Sequence, residues 1–181
     1  GALTTAGFPG YSSTNLLTAT ATDTVRQGGL NYTMSLAGNT SVAALNISYP
    51  SAGGSLNLSN AVLNVVGGGL MVSMSSDNTY FRIFGGTVTS GTSDLYVHHL
   101  PYTGNYRQVL LMNQFADNGS TPVRLILSHS DTNPSINQTT VSGTNTHTGG
   151  TVVNQGRVVL SNPIADGSTI LAIPAHATDP Q

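Results

Sequence analysis

The sequence has no cysteine and no tryptophan, and its charged residues are five Arg and seven Asp, with no Lys or Glu. Without cysteine, the chain contains no disulfide and no thiol nucleophile. Without Lys, it cannot contain a phosphate-binding loop of the Gly-rich, Lys-bearing kind. The Arg residues are scattered, which gives no electrostatic footprint for nucleic acid or anionic lipid, and no apolar run reaches the roughly 18 to 20 residues of a membrane helix. We therefore expect no nucleic-acid partner and no membrane insertion of this segment.

The composition favours strands and turns over helices. Charged residues make up 7% of the 181 residues, where about 25% is usual for globular proteins, and Gly, Ser, Thr and Asn take their place. These residues favour turns, caps and strands, whereas the missing Lys and Glu are good helix formers. With 38% hydrophobic residues and a net charge of −2, the chain lacks the low hydrophobicity and high net charge of disordered proteins. An all-β protein with many turns fits this composition.

Short runs of alternating apolar residues occur along the whole chain. A period of two indicates a strand with one buried face, and Gly, Asn, Asp, Ser or Pro bounds each run. No window shows helical periodicity over ten residues. The alternating sets are Leu45 and Ile47, Leu56 and Leu58, Leu63 and Val65, Leu70 to Met74, Phe81 and Ile83, Leu95 and Val97, Val123 to Leu127, Val158 and Leu160, and Ile170 and Ala172.

Two stretches share one pattern, which argues for a solenoid. "AGGSLNLSNAVLNVVGGGLMVSM" and "TGGTVVNQGRVVLSNPIADGSTILAI" each read Gly-Gly, strand, turn, strand and a Gly-containing break. The repeat of about 20 to 25 residues is in the range of solenoid proteins. We predict one β-solenoid domain over residues 1–181, with a β-sandwich as the alternative. The less regular residues 94–118 are expected to form a loop excursion from the stack.

The stretch "SGTNTHTGGTVVNQGRVVLSN" resembles the passenger-associated β-strand repeat of autotransporter proteins. His147 stands where that repeat usually has Tyr, at a position compatible with the surface, and Arg157 stands where a small residue is commoner. The matching residues are Gly143, Asn145, Thr146, Thr148, Gly149, Gly150, Thr151, Val153, Gly156, Val158 and Leu160.

The resemblance implies a right-handed parallel β-helix in an extracellular, secreted setting. It implies that the chain is a segment of a large adhesin-like or fibre-forming bacterial surface protein. It also implies that the repeat is structural and carries no catalytic residues.

Candidate chemistry is weak when it is weighed residue by residue. The five histidines show no metal-ligand spacing, so we expect them to be exposed or in turns and to bind no metal; they are His98, His99, His129, His147 and His176. The seven Asp are spread singly and mostly in turn contexts, unlike the clustered carboxylates of polysaccharide-cleaving enzymes. No Gly-x-Ser-x-Gly turn occurs. We predict no catalytic residues, no cofactor and no enzyme activity.

The tyrosine-rich stretch "YVHHLPYTGNYR" is the best binding candidate. Tyr and Arg are enriched at recognition surfaces, and excursions from a scaffold often carry function. Packing of a loop against the side of the solenoid is the alternative interpretation. The predicted surface consists of Tyr96, His98, His99, Tyr102, Tyr106 and Arg107.

Three functional hypotheses follow from the sequence. The first is a non-enzymatic structural segment at the cell surface or in a fibre, whose partners are other copies or adjoining segments of the same protein. The second is an adhesin module that binds a host surface or a polysaccharide through lateral loops. The third, an enzyme acting on polysaccharide, lacks an acid and base pair in the sequence.

Overall fold

The computed structural model describes residues 10–28, 30, 32–49, 54–74, 79–100, 107–130, 137–161 and 170–172, with backbone only for residues 49, 79, 107 and 170–172. These residues form strands and turns. The thirteen strands are β1 (Thr24–Gln27), β2 (Thr33–Ser35), β3 (Thr40–Tyr49), β4 (Ser55–Asn57), β5 (Val62–Met74), β6 (Thr79–Ser90), β7 (Asp94–Leu100), β8 (Arg107–Phe115), β9 (Arg124–His129), β10 (Gln138–Val141), β11 (Thr151–Gln155), β12 (Val158–Leu160) and β13 (Ile170–Ala172).

Every pairing between the described strands is parallel, and the strands stack into three faces of a β-solenoid. Face 1 contains β1, the second parts of β3 and β5, and then β7, β9, β11 and β13. Face 2 contains β2, β4, the first parts of β6 and β8, and then β10 and β12. Face 3 contains the first parts of β3 and β5 and the ends of β6 and β8. The predicted β-solenoid is confirmed, and the antiparallel pairing of a β-sandwich is excluded.

Side chains that point inward stack in columns from coil to coil. On face 1, Val25, Leu45, Leu70, Val97 and Leu127 follow one another in register and are all buried. This column accounts for the alternation seen in the sequence, because every second residue of each strand enters the core.

Equivalent columns fill the other two faces, and each buried aliphatic side chain contributes about 1.5–3 kcal/mol relative to exposure. On face 2, one column consists of Leu56, Ile83, Leu111 and Val141, and a second consists of Phe81, Val109 and Thr139. On face 3, the column consists of Leu63, Val88 and Phe115.

Glycines sit where a strand passes from one face to the next. Gly68 lies at the bend in β5 with φ 76°, and Gly85 lies at the bend in β6 with φ 75°. This left-handed backbone conformation is strained for residues with a Cβ atom. Gly67 to Gly69 and Gly85-Gly86 therefore mark corners of the solenoid inside the long strands β5 and β6.

The described parts of residues 94–118 do not form the expected loop excursion. Within this stretch β7 pairs with β5 and β9, and β8 pairs with β6 and β10, so both strands belong to the stack. The expectation was wrong because Leu95, Val97 and Leu111 point into the core, so the alternation of Leu95 and Val97 already indicated a strand of the stack. Residues 101–106 lie outside the described residues.

Candidate functional site

The residues of the predicted binding surface do not form one surface in the described part of the structure. Tyr96 and His98 point outward from β7, and Tyr96 is 50% exposed. His99 was wrongly assigned to this surface, because it alternates with His98 and points into the core, where it is 1% exposed. Arg107 begins β8 on face 2, with its side chain outside the described atoms, and Tyr102 and Tyr106 also lie outside the described residues.

Tyr96 and His98 instead border a depression on the outer surface of face 1. The depression forms because the outward-facing residues of two successive coils are small. Ala44 pairs with Gly69, and Gly69 pairs with Tyr96 on the next coil. We name this depression, of about 230 Å³, the tyrosine groove; it is lined by Tyr11, Thr24, Ala44, Leu45, Asn46, Gly69, Leu70, Met71, Tyr96 and His98.

Hydrogen bonds fix one side of the tyrosine groove. The amide nitrogen Nδ2 of Asn46 donates to the hydroxyl of Tyr11 at 2.7 Å, and the Oγ of Ser73 donates to Asn46 Oδ1 at 2.8 Å. The guanidinium of Arg26 lies 5.9 Å from the centre of the Tyr11 ring. Because Asn46 is 8% exposed, this chain of bonds holds Tyr11 against the solenoid from a buried anchor.

An ion pair fixes the other side. Arg124 donates from Nε to Asp94 Oδ1 at 2.8 Å and from Nη2 to Oδ2 at 2.9 Å, which is the bidentate geometry of a strong pair. The Tyr96 hydroxyl donates to Asp94 Oδ2 at 3.3 Å. The hydrogen bonds that Arg124 donates to Asp94, followed by the negative charge of Asp94, raise the pKa of Arg124 above its ordinary value. The positive charge of Arg124 and the negative charge of Asp94 thus cancel, and the pair adds no net charge beside the groove.

His98 supplies a neutral polar group to the tyrosine groove. Burial lowers the pKa of His98 below its ordinary value, so the imidazole is uncharged at neutral pH. Its Nε2 lies 3.4 Å from the Oγ of Ser130 on the next coil. A neutral imidazole offers one donor and one acceptor, which suits hydrogen bonding to an uncharged ligand.

Sequence reasoning missed most residues of the groove. Tyr11, Asn46 and Met71 come from other coils and are separated from Tyr96 by about a coil length or more. The signal that would have found them is the repeat itself, because outward positions one coil apart become neighbours. That signal is weak here because the coil length varies, from 19 residues between Val153 and Ala172 to 30 residues between Val97 and Leu127.

The glycines of the repeat motif pack directly on the preceding coil. A Cβ atom at Gly143 would overlap the carbonyl oxygen of Asn113, and one at Gly149 would lie 2.5 Å from the carbonyl carbon of Val123. Gly156 has φ 85°, and a Cβ there would lie 2.7 Å from the oxygen of His129. These three positions require Gly for close backbone approach.

The polar residues of the motif bond to the same preceding coil. Asn145 Oδ1 accepts from the N–H of Phe115 at 3.2 Å, and the Oγ1 of Thr146 accepts from Gln114 Nε2 at 3.1 Å. Thr148 donates to Asp117 from both its N–H and its hydroxyl, at 2.9 Å and 2.7 Å. The glycine and polar residues of the motif described here are therefore those that contact the preceding coil.

The apolar motif residues continue the stack as well. Val153 pairs with Leu127, Val158 pairs with Thr139, and Leu160 pairs with Val141.

Three histidines are buried, so their expected exposure was wrong. His99, His129 and His147 are 1%, 0% and 0% exposed, and His176 lies outside the described residues. The position of His147, taken as compatible with the surface, points inward, and its Nε2 lies 2.8 Å from the Oγ1 of Thr151. Burial lowers the pKa of His147, although the nearby Asp117 acts in the opposite direction.

The described carboxylates hold turns and coils together. Asp23 accepts hydrogen bonds from Ser12 and Thr20, and Asp94 pairs with Arg124. Asp117 accepts from the N–H of Val123 at 2.8 Å as well as from Thr148. Burial alone would raise the pKa of Asp117, but these hydrogen bonds and the nearby His147 hold it below its ordinary value.

Asp117→Asn is expected to destabilise the protein by about 1 kcal/mol at pH 7, because the bonds are to a charged but partly exposed carboxylate. The lowered pKa means that ionised Asp117 contributes stability above its unfolded pKa of about 3.9, and the contribution is lost as pH falls through the folded pKa. The difference in melting temperature between wild type and variant should shrink below about pH 4. Ser120→Ala, at an exposed position of the same turn, is the control. A difference that stays constant down to about pH 2.5 would contradict the prediction.

Two features are absent from the described part of the chain. None of its His or Asp side chains gather in groups of three or more that can hold a metal ion. It also contains no helix of the length and apolar character that crossing a membrane demands.

Comparison with protein-family models gives no match, and comparisons with curated proteins and with solved structures give no match either.

Proposed function

We propose that this chain is a non-enzymatic structural segment of an extracellular surface or fibre protein, and that copies or adjoining segments join end to end. The observation that carries the proposal is the stack itself. In the part of the chain that the structure describes, β2, β12 and β13 each pair on one side only. An open parallel edge presents N–H and C=O groups that a further coil can pair with.

Side chains at the C-terminal edge support the same proposal. Val158, Val159 and Leu160 of β12 are partly exposed, whereas Leu111 and Val141, earlier in the Leu160 column, are buried. A further coil would cover these apolar side chains as β12 covers β10. The resemblance of residues 143–160 to a repeat of surface proteins agrees with such a role.

The roles of the polar residues favour a non-enzymatic protein. Asp94 and Asp117 serve the ion pair and the hydrogen bonds described above, and His99, His129 and His147 lie inside the core. Solvent access is a requirement for a residue that transfers a proton to a substrate.

Electron microscopy of the purified chain tests the joining of segments. Seven stacked strands on face 1 span roughly 30 Å at the usual spacing of parallel strands. We expect filaments several times longer than this, whose length increases with protein concentration. Short isolated rods at every concentration would rule out end-to-end joining.

A second function is supported by the tyrosine groove. Tyr11 and Tyr96 are 39% and 50% exposed on either side of a small-residue floor, and His98 and Asn46 add polar atoms. Tyrosine rings combine an apolar face with a hydroxyl, which suits ligands that are apolar on one face and polar at the edge. Because the residues that line the groove include no Asp or Arg and the His98 imidazole is neutral, we propose that the groove binds an uncharged glycan.

Tyr96→Ala is expected to weaken binding to a neutral oligosaccharide by at least about tenfold, because it removes an exposed ring at the groove. Gly69→Val should weaken it similarly by filling the floor, since a Cβ there meets only the Cβ of Ala44, at 3.8 Å. Tyr80→Ala is the matched control, because Tyr80 is 42% exposed on β6, outside the groove. The measurement is a screen on a glycan array followed by titration calorimetry.

The results separate groove binding from other adhesion. No binding of neutral glycans by the wild type, or an equal loss in Tyr80→Ala, would exclude the groove as a glycan site. Retained folding of each variant is checked by circular dichroism.

A further inference from the structure

The outward side chains of face 1 form two rows that run along the solenoid axis. Each row follows the register of the parallel strands from coil to coil, and the tyrosine groove covers only its N-terminal part. The first, which we name the apolar row, consists of Ala44, Gly69, Tyr96, Ile126 and Val152. The second, which we name the polar row although it includes one Met, consists of Asn46, Met71, His98 and Ser128.

The two rows remain accessible beyond the tyrosine groove. In the apolar row, Ile126 and Val152 are partly exposed, as are Ala44 and Gly69. Tyr96 is 50% exposed, and the bond from its hydroxyl to Asp94 on the same strand orients the ring along β7. In the polar row, His98 and Ser128 are partly exposed, and Asn154 Nδ2 donates to Ser128 Oγ at 3.3 Å. The polar row therefore continues onto the coil that contains β11.

Neither row contains an Asp or an Arg, and the His98 imidazole is neutral. Arg26 pairs with Asn46 and lies before the polar row, at the N-terminal end of the stack. Asp94 and Arg124 flank the apolar row but pair with each other at 2.8 Å. A ligand that covers both rows from β3 to β11 thus meets no charged side chain within them, which favours an uncharged ligand.

The chemistry of this surface repeats along the solenoid axis but changes along each strand. The outward residues of β7 are successively charged, aromatic, polar and aliphatic: Asp94, Tyr96, His98 and Leu100. Each row, in contrast, keeps its character across the four spacings between β3, β5, β7, β9 and β11, which add up to roughly 19 Å. A ligand that lies along the axis must therefore be long and must repeat its own chemistry.

An extended β-linked glycan has this character. Its sugar units present apolar ring faces and polar hydroxyl edges, and each unit advances the chain by a length close to the spacing of neighbouring strands. Rings can lie on Tyr96, Ile126 and Val152, because aromatic and aliphatic side chains contact apolar ring faces well. Hydroxyl groups can reach His98 and Ser128 in the parallel polar row, since imidazole and hydroxyl groups both donate and accept hydrogen bonds.

We propose that face 1 binds the interior of a linear, uncharged, β-linked glycan that lies along the solenoid axis. This inference rests on the proposed glycan function of the tyrosine groove and specifies the shape and length of the ligand. Contacts add from coil to coil, so affinity increases with the number of consecutive sugar units until the rows are covered. A site for a single terminal sugar gives no such increase.

Titration calorimetry of the wild-type chain with oligosaccharides of increasing length tests the proposal. The probes are cello-, manno- and N-acetylchito-oligosaccharides from the monosaccharide to the hexasaccharide, all of which are uncharged and β-linked. Malto-oligosaccharides, which are α-linked and curved, are the comparison. We expect the Kd of at least one β-linked series to fall by at least about tenfold between the disaccharide and the tetrasaccharide, with no such fall in the malto series.

Ile126→Thr tests the part of the apolar row that lies outside the tyrosine groove. The substitution keeps a β-branched side chain on β9, which preserves the strand, and introduces a hydroxyl into the row. We expect the Kd of the hexasaccharide to rise by at least about fivefold, whereas the Kd of the disaccharide stays unchanged because the groove alone accommodates it. Leu110→Thr is the matched control, because Leu110 is a partly exposed, outward residue of β8 on face 2.

The outcomes distinguish this inference from the groove function on which it rests. A Kd that is independent of chain length, equal length dependence in the malto series, or equal effects of Ile126→Thr and Leu110→Thr would overturn axial binding and leave the groove as a glycan site. No binding of any neutral glycan would overturn both. Slower sedimentation of Ile126→Thr than of wild type, with glycan binding unchanged, would show that a second copy of the chain covers the apolar row instead.

Discussion

Replacing Gly143 by alanine is expected to destabilise the protein by at least about 3 kcal/mol. The added Cβ would overlap the carbonyl oxygen of Asn113 and lie 2.5 Å from its carbonyl carbon. Both are backbone atoms, so no side-chain rotation relieves the contact. The neighbouring bond from the N–H of Ser142 to the oxygen of Leu111, at 2.9 Å, would have to lengthen with it.

Thermal unfolding followed by circular dichroism measures this effect, and we expect the melting temperature to fall by roughly 6 to 12 °C. Gly38→Ala is the matched control, because an added Cβ there meets no atom within 4 Å and the backbone is not in the left-handed region. That substitution should be neutral or slightly stabilising, since it reduces the entropy of the unfolded chain. Equal melting temperatures for Gly143→Ala and wild type would mean that the coils do not approach as closely as described.

Phe115→Ala is expected to cost about 3–5 kcal/mol. Phe115 is 1% exposed and ends the column of Leu63 and Val88 on face 3. Truncation would remove the ring and leave a cavity that the stacked backbones cannot close, because inter-strand hydrogen bonds fix their spacing.

The melting temperature of Phe115→Ala should fall by roughly 10 °C or more. Met112→Ala, on the same strand but 49% exposed, serves as the control and should stay within about 0.5 kcal/mol of wild type. Similar losses in the two variants would contradict the inward assignment of Phe115, and with it the register between β6 and β8.

Both substitutions probe the stacking of neighbouring coils. Gly143 lies on Asn113, two residues before Phe115, whose N–H bonds to Asn145. Loss of either contact should therefore open the C-terminal coils first.

The sequence by itself determined the class of fold. Alternation such as Leu70, Val72 and Met74 indicates a strand with one buried face, and Gly-Gly breaks at coil-length intervals indicate a solenoid. These signals are local, so they can be read without knowledge of the neighbouring coils. The residues of the repeat motif were identified from the resemblance to a known repeat, and the structure shows why several of them are Gly, Asn or Thr.

Only the tertiary structure decided which residues become neighbours. A variable coil length shifts the register from coil to coil, so the sequence could not place Tyr11 and Asn46 beside Tyr96. The inward direction of His99 and His129, in contrast, follows from their alternation with Val97 and Leu127, although the polar character of histidine suggests the surface. In a solenoid the strand period sets the direction of each side chain, and the coil length sets its partners; only the first can be read from a short stretch of sequence.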